Sequence, residues 1–332
     1  MLLTVGVATF NGSMTIGATL SSLEKQDFTD MRVIISDDGS TDGTLEICSN
    51  YVERNMGWEL HRRVERNGML GNYKYLLSQS ESDFFCFVDQ DDTRGETFVS
   101  SAMAALELHP GCIGALSRIG VLWSEAGDNE LTLVHINSIP ESLSCVDPIK
   151  RMRTVFFNYS DIWMYGVYRK ENLQKAFDNA PCLPVFPSIV LTQMLLSGPV
   201  TVVDETLLYY RAKGKSGRGS VIAESARVSA SSSRISHIPQ LILQTKIQLQ
   251  CCRKAFNIGG IERIRIVSQL FQGFLVIAAA RVLFKLAEQF KIGWIWSIVE
   301  KVVNWLRPHK YVDFVIADPV GKGYLDPKWR SF

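Results

Sequence analysis

Three carboxylates fall within four positions in FVDQDD, residues 87–92: Asp89, Asp91 and Asp92. They close an apolar run, Phe84-Phe85-Cys86-Phe87-Val88, of the kind that forms a strand buried in an α/β sheet. Like charges this close repel and raise one another's pKa, so the arrangement is costly without a cation to share. Magnesium and manganese take oxygen ligands, and magnesium commonly uses one or two carboxylates together with substrate phosphates. An Asp-x-Asp at a strand end can put one carboxylate on the metal and the other on a ribose or the same ion. The plain alternative is a solvated acidic turn, with Asp92 capping the next helix. The strand end, and a second acidic cluster upstream, favour a metal–nucleotide site.

That second cluster is SDDGSTDGT, residues 36–44. Asp38-x-Ser40-x-Asp42-Gly43 fits the first half of a calcium loop, but the twelfth position is Ser49 rather than Glu, which excludes an EF-hand. An Asp/Gly turn capping a helix is the bland reading. At the end of a strand, Asp38 can also accept a hydrogen bond from a base or ribose. Between the two clusters, Arg66, Asn67, Gly68 and Gly71 either form a turn near phosphates or are an ordinary Asn-Gly turn. AKGKSGRGS, residues 212–220, presents Lys213, Lys215 and Arg218. It is either a loop that closes on a diphosphate or a solvated basic linker. No GxxxxGK[ST] occurs, so a P-loop phosphotransferase is set aside.

The elements that must position these residues follow from periodicity. LLTVGVATF predicts a first strand, and Ile16, Leu20 and Leu23 a helix over roughly 13–26. MRVIISDD (31–38) is a second strand, followed by a helix with Ser40 or Thr41 as N-cap. WELHRRV (58–64) is a third strand; Leu70, Tyr73 and Leu77 mark a helix at about 70–80. The apolar strand 83–88 precedes a helix over 96–108. Alternating strands and helices imply βαβ units and a mostly parallel sheet, in which ligands sit at the carboxyl ends of strands. Thr9-Phe10-Asn11, Asp37-Asp38 and Asp89–Asp92 all fall at such ends. Beyond residue 113 the expected order is paired strands at 112–123 and 130–136, a basic helix over 148–156, a strand meeting a helix in 164–173, and a strand in 200–211. A Ser-rich linker (221–236) separates residues 1–220 from a helical extension, 237–332.

The chain has 332 residues, 46% of them hydrophobic and 21% charged, with a formal net charge of +1. Nothing global points to nucleic acid. Seven scattered cysteines, an odd number without a CxxC pair, indicate reduced, cytosolic usage rather than a disulfide framework or zinc site. The first residues read as a strand, so no signal peptide is expected. In 292–306, Trp294, Trp296 and Trp305 stand near Lys291, Lys301 and Arg307. That pattern suits an amphipathic helix on a membrane surface or a helical subdomain packing inward.

VGVATFNG (5–12), LSSLEKQDFTDMRVIISDDGSTDGT (20–44) and NGMLGNYKYLLSQSESDFFCFVDQDD (67–92) together resemble the family-2 glycosyltransferases with the GT-A fold. The last stretch is similar to a rhamnosyltransferase-like subgroup that typically carries DQDD. The resemblance covers residues 2–92, with a weaker match from MYGVYRKENL to LLYYR. It implies a Rossmann-like α/β domain that moves a sugar from a nucleotide-sugar to an acceptor hydroxyl with inversion. Thr9 and Asn11 would line the nucleotide pocket with Asn67, and Asp38 would contact the base. Asp89 and Asp91 would be the Asp-x-Asp pair, with Asp91 the direct ligand of Mn2+ or Mg2+. Arg211 and the loop after it would approach the diphosphate. The implied acceptor is a glycan or lipid-linked saccharide of cell-surface polysaccharide synthesis, on the cytoplasmic, inner face of the cell membrane.

Two departures stand out. Relatives carry an Asp at the head of a helix that ends in Gly before the YR strand; counting back from Gly198, that place is Pro187. No Asp or Glu lies between Asp178 and Asp204, so Asp161 in NYSDIW is the candidate replacement base. Arg94 also stands where the subgroup often has Trp. A base-less chain admits a rival reading, a nucleotide-sugar-binding or scaffold subunit of a glycan-assembly complex.

Overall fold

Runs such as LTVGVAT and FFCFVD carry apolar residues at successive positions, so both faces of each strand must be covered. The computed structural model describes residues 2–63, 65–123, 131–157, 160–180 and 186–212. In it these runs are the central strands. The first half alternates β1 (Leu3–Thr9), α1 (Ile16–Glu24), β2 (Met31–Asp37), α2 (Thr44–Arg54), β3 (Trp58–Arg62), α3 (Gly68–Ser78) and β4 (Phe84–Asp89). The four strands pair in parallel in the order β3-β2-β1-β4. Helices supply the cover: Ile16, Leu20 and Leu23 of α1 and Tyr73, Leu76 and Leu77 of α3 are buried.

The second half is β5 (Thr93–Arg94), α4 (Phe98–Leu108), β6 (Gly114–Trp123), β7 (Thr132–Asn137), α5 (Pro148–Phe157), β8 (Val167–Arg169), α6 (Lys170–Asp178), α7 (Phe186–Ser197) and β9 (Val200–Ala212). Short 3-10 helices occupy Glu141–Ser144 and Asp161–Tyr165. The full order is β3-β2-β1-β4-β8-β6-β9-β5, with β7 on β6. β6 and β9 are parallel, whereas β4–β8, β6–β8, β5–β9 and β6–β7 are antiparallel. The central α/β sheet with flanking helices is therefore as expected, but it is mixed rather than mostly parallel.

Two differences matter for the site. Residues 90–92 alone join β4 to β5, yet β5 lies at the far end of the order, against β9. The sheet must curl to allow this, which carries the end of β9 to the DQDD turn. α2 begins at Thr44 behind Gly43, not behind Ser40 or Thr41, because those residues serve the loop before it. The basic loop 213–220, the linker 221–236 and the extension 237–332 lie outside the described residues. Among the described residues no helix is long and apolar enough to cross a membrane.

Candidate active site

Register brings the polar strand ends to one level: Thr9 pairs with Asp37 across β1–β2, and Ala8 with Asp89 across β1–β4. Asp37 is wholly buried and organises the turn after β2. Its carboxylate accepts from the backbone N–H groups of Gly39 (3.2 Å) and Ser40 (2.9 Å), and from the Ser40 hydroxyl. That turn then clamps the loop after β1. Asn11 N–H donates to Ser40 Oγ (2.9 Å), Gly12 N–H to Thr44 Oγ1 (2.8 Å), and Thr41 N–H to Asn11 Oδ1 (2.9 Å). Asn11 holds φ at 48°, a left-handed conformation that asparagine tolerates better than most residues.

Asp38 is only 3% exposed. Its oxygens accept from the N–H groups of Asn67 (2.9 Å) and Gly68 (2.8 Å), so it ties the end of β2 to the start of α3. Burial raises its pKa; those two N–H groups, Arg66 and Arg63 oppose the rise. Arg66 lies with Nε 4.0 Å from Asp38 Oδ2 and its guanidinium 3.6 Å from the centroid of Phe10, within cation–π range. Asn67 thus presents its backbone to Asp38, while its side chain donates to Glu65 O (2.9 Å).

Gln90, the residue between the aspartates, bridges β4 to β1. Its Oε1 accepts from Thr9 Oγ1 (2.7 Å) and Phe10 N–H (2.8 Å), and its Nε2 donates to Phe10 O (3.2 Å). A neutral amide can do both jobs at once. A Cβ at Gly12 would sit 2.3 Å from Gln90 Oε1, so glycine is what lets this bridge close.

Asp89 is gripped from two directions. Tyr73, on α3, donates to Oδ1 (2.5 Å), and Tyr165, closing the 3-10 helix Asp161–Tyr165, donates to Oδ2 (2.7 Å). The two hydroxyl oxygens stand 3.2 Å apart. Burial, with the Asp89 charge, pushes both phenols well above the ordinary tyrosine range, so they remain donors. Asp91 is partly exposed at the turn. Asp92 is 1% exposed and does not cap α4, whose N-cap is Thr97. Instead Asp92 Oδ1 accepts from Arg211 N–H (3.2 Å) near the end of β9. Burial pushes Asp92 far above the carboxylate range; the Arg94 guanidinium opposes this and Asp91 and Asp89 add to it. Arg94 fills a buried position, donating to Thr93 O (3.1 Å) and Phe87 O (3.4 Å).

Thr9, Asn11, Asp38, Asn67, Asp89, Asp91 and the backbone of Arg211 therefore surround one set of strand ends. Asp161 is exposed at the head of the helix whose last residue grips Asp89, and its charge is among those acting on Tyr165. Pro187 occupies the first turn of α7, which has no acidic residue there. The neighbouring Phe186 ring lies 6.2 Å from that of Tyr73, so the head of α7 adjoins the same cluster. Asp178 accepts from Gln174 (2.7 Å) and Asp204 pairs with Arg118 (2.5 Å). Gln90, Tyr73 and Tyr165 are the participants that sequence reasoning passes over.

Over 224 residues the chain is 27% identical to the poly(ribitol-phosphate) beta-N-acetylglucosaminyltransferase TarS of Staphylococcus aureus, covering 64% of this chain and 36% of that protein. Over 105 residues it is 32% identical to the dTDP-rhamnosyl transferase RfbG of Shigella flexneri, covering 30% of this chain and 36% of that one. The chain thus spans little more than a third of the length of these relatives. A crystal structure of residues 1–349 of S. aureus TarS in complex with UDP-GlcNAc superimposes with a TM-score of 0.52 at 19% identity, covering 92% of each chain, which establishes a shared fold. The model of the family described as "Glycosyl transferase family 2" matches residues 4–181. That span runs from β1 past α6, takes in every strand end that carries these carboxylates and exceeds half the chain, and so the protein belongs to glycosyl transferase family 2.

Proposed function

We propose that this chain transfers a sugar, with inversion, from a nucleoside-diphosphate sugar to a hydroxyl of a glycan or lipid-linked saccharide, using Mn2+ or Mg2+ at the cytoplasmic face of a membrane. One observation carries the reading. The ends of β1, β2 and β4 bring Thr9, Asp37 and Asp89 to one level, with Asp38 and Asp91 in the turns that follow, at the place where open α/β sheets bind ligands. The names of the relatives, one acting with N-acetylglucosamine and one with dTDP-rhamnose, support the same class of donor.

The donor set fits a metal that arrives with its substrate. Among the described residues no group of three or more His, Cys, Asp or Glu is placed to hold a metal ion; an ion here would take one or two carboxylates and complete its shell with substrate phosphates. Asp91 would hold it, with Asp89 beside it. Such an ion, once bound, acts as a Lewis acid on the leaving diphosphate. The loop clamped between Asn11 and Thr41 frames the nucleotide end, and the Arg66 guanidinium over Phe10 borders it. Arg211, held at its backbone by Asp92, would supply a cation to the phosphates. Inversion needs a base on the face opposite the leaving group, and Asp161 is the exposed carboxylate on an element tied to Asp89. Such a base contributes about 10²–10⁴-fold.

The deciding experiment is nucleoside-diphosphate binding with and without manganese, paired with donor turnover. Asp91→Ala should lose the manganese-dependent part of binding, and unchanged affinity would sink the metal assignment. Asp161→Asn should bind normally and transfer about 10²–10⁴-fold more slowly; a near-normal rate would remove Asp161 as the base. Pro187 at the head of α7 favours one rival, a nucleotide-sugar-binding or scaffold subunit. Manganese-dependent binding without transfer or hydrolysis of any donor by the wild-type chain would support it.

A further inference from the structure

Two buried tyrosines meet on one carboxylate. Tyr73 comes from the middle of α3 and Tyr165 from the end of the 3-10 helix Asp161–Tyr165, and each takes a different oxygen of Asp89, at 2.5 Å and 2.7 Å. These are the lengths of charge-assisted O–H···O− bonds. A single phenol would leave the carboxylate free to turn about its Cβ–Cγ bond; two neighbouring phenols, one on each oxygen, fix its plane. A carboxylate offers about four lone-pair positions, and holding one on each oxygen sets the direction of the group before any ligand arrives.

The framework behind the two phenols gives this grip a reach beyond Asp89. The first turn of α3 is held by Asp38 through the N–H groups of Asn67 and Gly68, and the same helix then delivers Tyr73. One rigid element therefore spaces the Asp38 carboxylate from the Asp89 carboxylate. Tyr165 closes the helix that Asp161 opens, so the bond to Asp89 also fixes the attacking-side element against the leaving-group side. Core packing alone would be met by phenylalanine at both positions, as it is at Phe87 and Phe177, whose rings also touch Tyr73.

We infer that Tyr73 and Tyr165 are positioning residues that orient Asp89 for the nucleoside-diphosphate end of the donor. The inference rests on the proposed donor site. Preorganisation of this kind gains affinity by removing an ordering cost at the moment of binding.

The test uses the full chain and titration calorimetry with UDP, dTDP and GDP, each with manganese chloride. Tyr165→Phe and Tyr73→Phe keep the rings and remove only the hydroxyls. Each should weaken the nucleoside diphosphate that the wild type binds by at least about tenfold. In an Asp89→Asn background, Tyr165→Phe should add little further loss, because the groups act as one unit. Wild-type affinity in both phenylalanine variants, or a loss that adds fully to that of Asp89→Asn, overturns the inference. So does a lowered Tm with unchanged affinity, which is what a purely structural role would produce. A wild-type chain that binds none of the three nucleotides removes the donor-site reading and this inference with it. Wild-type binding matched by both variants removes the inference alone.

Discussion

Asp38 makes its hydrogen bonds to backbone, not to another side chain, and this has a consequence for pH. Burial raises its pKa despite the N–H groups of Asn67 and Gly68 and the nearby Arg66 and Arg63. A carboxyl whose folded pKa is raised favours the folded state in its protonated form. That contribution is complete below the unfolded value, ~3.9, and is lost as pH rises through the raised folded value. The wild type should therefore gain stability relative to Asp38→Asn as pH falls from neutrality toward about 4. Paired thermal melts across that range check this, and a relative loss on acidification would mean the folded pKa is depressed instead. At this scale the sequence was partly readable. Thr9, Asn11, Asp89 and Asp91 are short polar clusters after apolar runs, which is how a strand end looks. Gln90 was not, because an amide between aspartates reads as a spacer until its partners Thr9 and Phe10, at the end of a different strand, are known. Tyr73 reads as one more apolar position on the buried face of α3; only the fold reveals that its hydroxyl has somewhere to go.

Elements, rather than residues, decide how the second half holds the first. α7 is buried on nearly every side, and its last turn is closed by a side chain from α5. Arg151, itself buried, donates to Leu195 O (2.6 Å) and Leu196 O (3.4 Å) of α7 and to Cys145 O (2.5 Å) and Val146 O (2.7 Å) before α5. A cation at a helix C-terminus interacts favourably with its carbonyl dipoles, and four carbonyls would lose a charged donor together if it were removed. Arg151→Met should therefore lower unfolding free energy by about 2–4 kcal/mol, read as a lower urea midpoint with an unchanged slope. A shift within experimental error would show that water replaces the guanidinium at no cost. The periodic helices and apolar strands of the first half were legible from pattern, since 3.6- and 2-residue repeats are local properties. The order β4-β8-β6-β9-β5 was not. Strand partners such as Thr93 and Tyr209 are set by long-range pairing, and a two-residue strand carries no periodic signal.

In the molecule as a whole, the described residues end with β9 at Ala212. Among the described residues, the nine-stranded sheet and the helices that cover it lie within 2–212, and Thr9, Asn11, Asp38, Asn67, Asp89, Asp91 and Arg211 fall inside that span. The tryptophans and basic residues of 292–306 lie beyond it. A fold whose core closes without a segment should survive loss of that segment, whereas an interfacial helix draws its binding from apolar area plus attraction to anionic lipid. Residues 1–236 alone should therefore unfold cooperatively and keep manganese-dependent binding of a nucleoside diphosphate, yet fail to float with vesicles that contain phosphatidylglycerol. The full chain should float with them at low salt and detach as salt rises, because the electrostatic part of the attraction is screened. A full chain that stays unbound at low salt would end the membrane assignment. A shortened chain that no longer folds would instead assign the extension to the core, packed against the domain rather than directed at a bilayer.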